Sequence, residues 1–578
     1  MSLDTKGDPD SKMEETSNRA SRELAPAIQP APETKPEPEN GDSSKLDEPE
    51  AQVRDWRFYM VFAALSITGL LSAAEATIIS TALPTIIKNL DVGSNYAWVA
   101  NAYFLTSMVV TPLYGQLANI WGRRWPMICS VVLLIIGSAI CGWATNGAML
   151  IAGRAIQGFG GGGINMLVEL ITCDLVPLRE RSKFMGIIMG TFTVGTAVGP
   201  IVGGIIVQGG SWRWVFWLNL PIGGFALGFL LPFLQVHFTK ESSLIEKLKR
   251  IDWIGNLILA PSLVSIMIAL TDAGTKAPWS SWRIILPLVL GFAGLILFQV
   301  YEASSWCVEP TVPMRLFENR TSLAAYTLTL LHIITSVWTI YFFPLYFQSV
   351  LGSSPARSGV QILPTFLILL PFAVVSGLVV TKMGRYRPVH HVGFAVMVIG
   401  FGLSTLLNAG SSTAEWVIYQ GIIAAGSGII VSSLLPAIQA ALSDNDAAAS
   451  TALFTFVRSF GAIWGITIPV AVFNNQFDKL LYKIQDPATR ALLADGQAYE
   501  HASRAFIYAI TEPVRSQVIG VYSDSLKTVW QVGIAMAGLG FIVVFVEKEL
   551  KMRTELTTEY GLKEKPETAA EGSPEAAV

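Results

Sequence analysis

Gly195-Thr-Ala-Val-Gly199-Pro200-Ile-Val-Gly203-Gly204 lies inside one apolar stretch of this chain. Glycines four apart leave a bare groove along one face of a helix, and a second helix can approach it closely, as in membrane GxxxG packing. Pro200 lacks an amide donor and bends the helix at the same place. In a water-exposed helix each such glycine costs about 1 kcal/mol. In a bilayer the helix forms regardless, because its backbone has no water to bond with. The stretch reads either as a tightly packed membrane helix with no further role or as a hinge (Gly195, Gly199, Pro200, Gly203, Gly204) where two bundles rock.

The composition agrees with a membrane setting. The 578 residues are 52% hydrophobic and 14% charged, with mean hydropathy +0.49, whereas a soluble domain carries about 25% charged residues. The net charge of −3 mostly reflects the tails. Cys129, Cys141, Cys173 and Cys307 are placed in helices or at cytosolic helix ends, without a disulfide framework or metal-type spacing. Residues 1–55 are rich in Pro, Glu, Asp, Ser and Lys and read as a disordered tail, as does 551–578. No segment of signal-peptide type precedes the first apolar run.

Fourteen apolar spans are read, near 58–82, 95–117, 125–145, 148–171, 184–207, 214–236, 253–271, 284–303, 322–348, 359–381, 389–408, 415–441, 450–473 and 526–547. Arg54, Arg57, Arg123, Arg124, Arg179, Arg181, Lys183, Lys240, Lys247, Lys249, Arg250, Arg315, Arg320, Lys382, Arg385 and Arg387 fall on alternate loops of one side. That bias places this side, and both termini, in the cytosol. The long loop 474–525 then faces out, and its pieces around 477–484 and 488–496 suit short amphipathic helices. The sequon Asn319-Arg320-Thr321 falls on the cytosolic side and is expected to be unglycosylated.

The chain also echoes itself. Gly115-Gln-Leu-Ala-Asn119-Ile-Trp-Gly122-Arg123-Arg124 ends the second span, and Gly377-Leu-Val-Val-Thr-Lys382-Met-Gly384-Arg385-Tyr-Arg387 ends the tenth. Both have glycines seven apart followed by basic residues. Repeated halves with a site between them are a transporter architecture. The expected organisation is a six-helix bundle at 56–237, a linker with two extra spans at 238–305, and a second six-helix bundle at 306–550.

Several stretches resemble the major facilitator superfamily, and within it the fourteen-helix drug:proton antiporters. Gly115 to Arg124 resembles the motif G-x-L-x-D-x-x-G-R-R/K of the inward gate, with Asn119 where the family has Asp. Ala73-Ala-Glu75-Ala-Thr77-Ile78-Ile-Ser-Thr-Ala82-Leu83-Pro84 resembles the first-helix motif L-D-x-T-I-V-x-x-A-L-P, with Glu75 in place of Asp. Leu150-Ile-Ala-Gly-Arg154-Ala-Ile-Gln157-Gly158-Phe-Gly160 resembles the fourth-helix motif L-x-x-x-R-x-x-Q-G-x-G. The opening glycine stretch resembles the antiporter motif of the fifth helix. Ile171-Thr-Cys-Asp174-Leu-Val-Pro177-Leu-Arg179-Glu-Arg181-Ser-Lys183 resembles the cytosolic loop before it. Trp212-Arg213-Trp214-Val-Phe216-Trp217-Leu-Asn219-Leu-Pro221 resembles a signature of the fourteen-helix group. In the second half Tyr341 to Gln348, Ser358 to Pro364 and Phe456 to Gly461 resemble fungal members.

A carboxyl at the depth of Glu75 must protonate, pair or face water. Arg154 stays protonated and can hold that carboxylate ionised, so these two are assigned to proton coupling; a carboxylate that never titrates and an Arg that pins helices are the plainer readings. Gly115, Asn119, Gly122, Arg123, Arg124 and Asp174 are assigned to the gate. Gln157, Asn101, His332 and Tyr341 are candidates for the substrate cavity. His332 also suits a packing role, and Glu169 also suits a charge snorkelling from a helix end. Asn219 and Pro221 are candidates for the outer cavity.

The implied fold is all-α, a major facilitator fold with fourteen transmembrane helices. The implied activity is proton-driven efflux of a small hydrophobic organic compound such as a fungal toxin. No cofactor, no metal and no catalytic residue is expected, and no nucleic-acid partner. A monomer in the plasma membrane is expected, with vacuolar or vesicle membranes as alternatives. A siderophore or basic amino-acid carrier of the same fold is the nearest rival, and a non-transporting sensor is a rival of another class. The lack of a Walker-type loop speaks against ATP-driven transport by this chain.

Overall fold

Apolar runs of this length solve their backbone hydrogen bonding only as helices when lipid surrounds them, and helices make up the regular structure. The computed structural model describes residues 56–90, 96–235, 244–273, 277–307, 309–494, 496–499 and 501–553. The expectations for the tails 1–55 and 554–578, and for Lys240, lie outside them. Among the described residues no strand forms beyond a single isolated bridge between Ala273 and Ala277.

Among the described residues fourteen long helical rods follow one another. The first six are α1 (Trp56–Leu90), α2 (Tyr96–Trp121), α3 (Arg124–Gly142), α4 (Gly147–Leu175), α5 (Leu178–Gly209) and α6 (Asn219–Phe233, preceded by the short helix Trp214–Trp217). Next come α7 (Trp253–Asp272) and α8 (Trp282–Glu302). The last six are α9 (Arg320–Ser349), α10 (Leu363–Met383, preceded by Pro355–Gln361), α11 (Arg387–Ser404), α12 (Thr413–Val431, continued by Leu434–Ala440), α13 (Ala447–Leu480) and α14 (Val514–Val543). Among the described residues eleven segments are long and apolar enough to cross a membrane. The segments containing α2, α4 and α11 fall outside that set. These helices carry polar residues that face protein: Gln116 on α2, Arg154 and Glu169 on α4, His390 on α11, all buried.

Packing repeats between the first six rods and the last six. In the first set α1 pairs with α5 and α6, α4 with α2 and α3, and α3 with α6. In the last set α9 pairs with α13 and α14, α12 with α10 and α11, and α11 with α14. Helices α7 and α8 form a hairpin of their own, and α7 touches α2.

The sequence echo is a structural repeat. Gly122 ends α2 at φ +78 and Gly384 ends α10 at φ +66, the left-handed region that glycine enters without penalty. The first glycine of each copy lies between the two sets. A Cβ on Gly115 would come 2.5 Å from Cβ of Ala452 on α13, and one on Gly377 would strike the backbone carbonyl of Ser182 on α5.

Several expected boundaries shift. Helix α4 runs to Leu175 and α5 starts at Leu178, so the expected loop around Arg179, Arg181 and Lys183 is in fact the first turn and a half of α5. Pro177 allows this, since it ends one helix and leads directly into the next. Helix α5 continues through Pro200 to Gly209. Helix α13 extends to Leu480 and α14 begins at Val514, so the segment expected as loop 474–525 shrinks to 481–513. The piece around 477–484 mostly completes α13, whereas Pro487–Leu493 is a short helix. Asp486 caps it, and the hydroxyl and amide of Thr489 hold its carboxyl below the usual range.

Candidate functional site

Among the buried polar groups of the described residues, two centres join the motif residues to their partners. The first joins α1, α2, α3, α4 and α6. Glu75 and Arg154 meet at 2.5 Å, with neither side chain exposed. Asn219 at the start of α6 donates to the other carboxylate oxygen of Glu75. Arg154 Nε donates to the Val99 carbonyl at 3.0 Å and Nη1 to Gln157 Oε1 at 3.0 Å. Gln157 Nε2 in turn donates to Ser138 Oγ at 2.8 Å. The guanidinium lies 4.6 Å from the centre of the Tyr103 ring. Arg154 Nη2 is buried without a hydrogen-bond partner.

Local sequence builds this centre. Gly158 on α4 sits under the Tyr103 carbonyl, where any Cβ would collide with backbone, so α2 lies close enough for Tyr103 to cover Arg154. Gln157 stands one turn from Arg154 and shares its face. A charge pair so buried persists because its desolvation is met by mutual attraction and further hydrogen bonds. The arrangement can hold one proton on or off a carboxyl group while the positive charge stays fixed.

The second centre crosses between the two sets. Glu169 on α4 pairs with Arg458 on α13 at 2.5 Å and accepts from Thr455 Oγ1 at 2.8 Å. Nearby, Arg181 on α5 donates to Gln439 at the end of α12 at 2.9 Å. Gly186 and Gly190 let α10 approach α5, at Ala373 and Leu370. Glu169 is therefore fully buried, correcting its reading as a snorkelling charge; it points inward because Arg458 offers a counter-charge from the other set. The same end holds the gate motif. Arg123 Nε pairs with Asp174 at 2.8 Å and Nη1 reaches the Ala118 carbonyl at 2.8 Å. Asn119 Oδ1 accepts from Arg123 at 3.4 Å, and Arg124 donates to the Leu231 carbonyl at 2.8 Å.

Other candidates fall elsewhere. Gln157 is fully buried in the first centre, and His332 is buried with Nε2 at 2.9 Å from Ser427 Oγ. Each spends polar atoms on a neighbouring helix, Gln157 on Ser138 and His332 on Ser427. Asn219 likewise turns to Glu75 and not to an outer cavity. Asn101 is half-buried and Tyr341 is 44% exposed. The glycine stripe packs against α1: a Cβ on Gly195 would come 2.5 Å from the Leu70 carbonyl, and one on Gly199 would meet Thr77 and the Ala74 carbonyl. Gly204 has open space beside it. The stripe thus seals α1 to α5 inside one set, while Gly186 and Gly190 on the same helix face the other. Sequence reasoning missed Arg458 as the partner of Glu169; the signal was a second lone charge at membrane depth in the opposite half.

A model of the Major Facilitator Superfamily matches residues 65–466. The MFS-type transporter gkaD of Penicillium citrinum is 51% identical over 90% of this chain and 89% of its own length. The MFS efflux transporter aclA of Aspergillus oryzae is 46% identical over 91% of this chain and 96% of its own. Among solved structures, the proton:xylose symporter XylE aligns with TM-score 0.54 and 15% identity, covering 86% of this chain and 97% of that one. The human organic anion transporter MFSD10 aligns with TM-score 0.53 and 14% identity, covering 85% and 100%. Those two show the fold alone. Since the family model spans most of the chain and the relatives match it nearly end to end, this multi-pass membrane protein belongs to the Major Facilitator Superfamily, as a transporter and not an enzyme.

Proposed function

We propose that this chain is a proton-coupled antiporter that exports small hydrophobic organic compounds, of the fungal secondary-metabolite type, from the cytosol. The observation that carries the reading is the fully buried Glu75–Arg154 pair. A carboxylate kept in the membrane against a desolvation cost is there to be titrated or displaced. The names of relatives such as the efflux transporter aclA supply the direction of transport.

All fourteen rods cross the membrane in this reading, with both termini and the basic end in the cytosol. Contacts at Gly115, at Gly377 and at Glu169 then close the cytosolic end, so this conformation faces outward. Protonation of Glu75 from outside loosens its hold on Arg154. The two sets then rock, opening the cytosolic end; the proton leaves and cargo binds. One proton crossing about 100 mV and one pH unit supplies about 3.7 kcal/mol. That sustains a gradient of several hundredfold for a neutral cargo. The protein acts as a monomer in the plasma membrane and needs no cofactor.

The test is transport in sealed vesicles with an imposed pH step, screened against hydrophobic metabolites. Uptake into acidic vesicles is expected to collapse with an uncoupler. Cargo flux indifferent to the uncoupler overturns the coupling. Glycosylation at Asn319 would overturn the topology.

A further inference from the structure

The start of α7 and the end of α8 meet at the basic end of the molecule, where chemistry accumulates that transport does not use. Asp252 caps α7, accepting from the Gly255 amide at 2.9 Å through Oδ1. Its own amide donates to Gln116 Oε1 on α2 at 3.1 Å. Glu302 is the last residue of α8, and its Oε2 accepts from the Val312 amide at 3.1 Å. Cys307 follows in the segment leaving α8. One carboxylate oxygen from each acid and the Cys307 sulfur lie within 4.8 Å of one another.

Asp252 is 7% exposed and Glu302 is 5% exposed. The Oε1 atom of Glu302 is buried without a hydrogen-bond partner. Among the described residues neither acid has an ion-pair partner; Arg250, the nearby cation, pairs with Glu309 at 2.5 Å. Two buried carboxylates side by side do not both stay ionised without a counter-charge. A cation between them supplies one.

We propose that Asp252, Glu302 and Cys307 bind a divalent transition-metal ion of the zinc type, which clips the end of α8 to the start of α7. A sulfur ligand beside two carboxylates favours a borderline ion over magnesium or calcium. Three protein ligands with a water in the fourth position is an ordinary zinc environment. Ligand atoms around zinc stand about 3–4 Å apart, so small side-chain shifts complete the geometry. On binding, the Cys307 thiol gives its proton to solvent and the thiolate sulfur takes the metal. Because Gln116 holds Asp252 and also donates to the Glu309 carbonyl at 2.9 Å, the ion fastens the extra hairpin to the gate helix α2. The ligands are spread from 252 to 307 without metal-type spacing, so the sequence gives no expectation of such a site.

The experiment uses the full chain in detergent, purified through a tag free of histidine and stripped with a chelator. Zn²⁺ is titrated against a competing chromophoric chelator, and Cd²⁺ is followed through its thiolate charge-transfer absorption. One equivalent of Zn²⁺ and a Cd²⁺–thiolate band are expected. C307S is expected to abolish the band, and E302Q to weaken Zn²⁺ binding by about 100-fold. Equal uptake by wild type and an E302Q/C307S variant overturns the proposal, as does absence of both signals in the wild type. An E302Q variant that melts higher while the wild type takes up no metal identifies the two acids as a pair sharing one proton, which also overturns it.

Discussion

Glu169 on α4 and Arg458 on α13 are 289 residues apart in sequence and 2.5 Å apart in space. They are the shortest ionic link between the two six-helix sets among the described residues. Thr455 gives the same carboxylate a second bond. The link sits at the end where Gly115 and Gly377 bring the sets together, so it ties the two sets to each other at that end.

Arg458→Ala removes the cation and leaves Glu169 buried with the Thr455 hydroxyl but without its counter-charge. Breaking one side of a buried pair costs about 3–5 kcal/mol, and less here because Arg458 keeps 25% of its side chain exposed. The closed arrangement is expected to lose about 1–3 kcal/mol. A Ser182→Cys reporter, buried beneath Gly377, should then label with maleimide at least about tenfold faster. Glu169→Gln, which retains an acceptor for Thr455, should have the smaller effect. Unchanged labelling in Arg458→Ala removes the pair from the seal.

The Glu75–Arg154 pair predicts an asymmetry between its two partners. Glu75→Gln keeps a hydrogen-bonding group beside Arg154, so the folded protein should reach the membrane but fail to couple export to a pH step. Arg154→Ala leaves a buried acid without its cation, at a cost of about 3–5 kcal/mol, so it should also lower the yield of folded protein. Combining the two changes should recover part of that yield, because the stranded charge is gone. Thermal unfolding in detergent, run beside vesicle transport, separates stability from coupling. Equal melting temperatures for Arg154→Ala and wild type contradict the argument.

Much of the fold was legible because apolar length and glycine spacing act locally. Gly122 and Gly384 stand out in the sequence as a repeat, and both make the same left-handed turn. Arg123 and Asp174 were both assigned to the gate from sequence, and the structure pairs them at 2.8 Å. What the sequence hid depends on which way a helix faces. Gln157 and Asn219 looked like cavity residues, yet both turn toward Glu75 and Ser138. Glu169 looked peripheral because its partner lies in the other set. The opening glycine stripe announced close packing correctly but not against what, and α1 proved to be the partner.

Gly115 gives a test of the closed end that involves no charge. A methyl group there would come 2.5 Å from Ala452 Cβ, far inside van der Waals contact. Gly115→Ala should therefore wedge α2 from α13 and raise labelling at position 182, with a stability loss of about 1–3 kcal/mol. Ala452→Gly in the same chain removes the facing methyl and should restore most of the wild-type behaviour. A double variant no better than the single one would show that the two helices do not meet there.

Asn119 tests whether the missing family carboxylate matters. Its Oδ1 lies 3.4 Å from Arg123, which is already paired with Asp174 at 2.8 Å and with the Ala118 carbonyl. Asn119→Asp would place a second acid against one guanidinium whose main bonds are taken. The Coulomb gain at such a site is offset by desolvating another carboxylate, so stability should change by less than about 1 kcal/mol. Paired with Asp174→Asn, however, the new acid offers Arg123 an anionic partner in place of Asp174 and should recover stability lost by Asp174→Asn alone. A double-mutant cycle on melting temperature reads this directly. Strict additivity of the two substitutions would mean that Arg123 does not exchange one acid for the other, and that Asn119 holds no latent part in the gate.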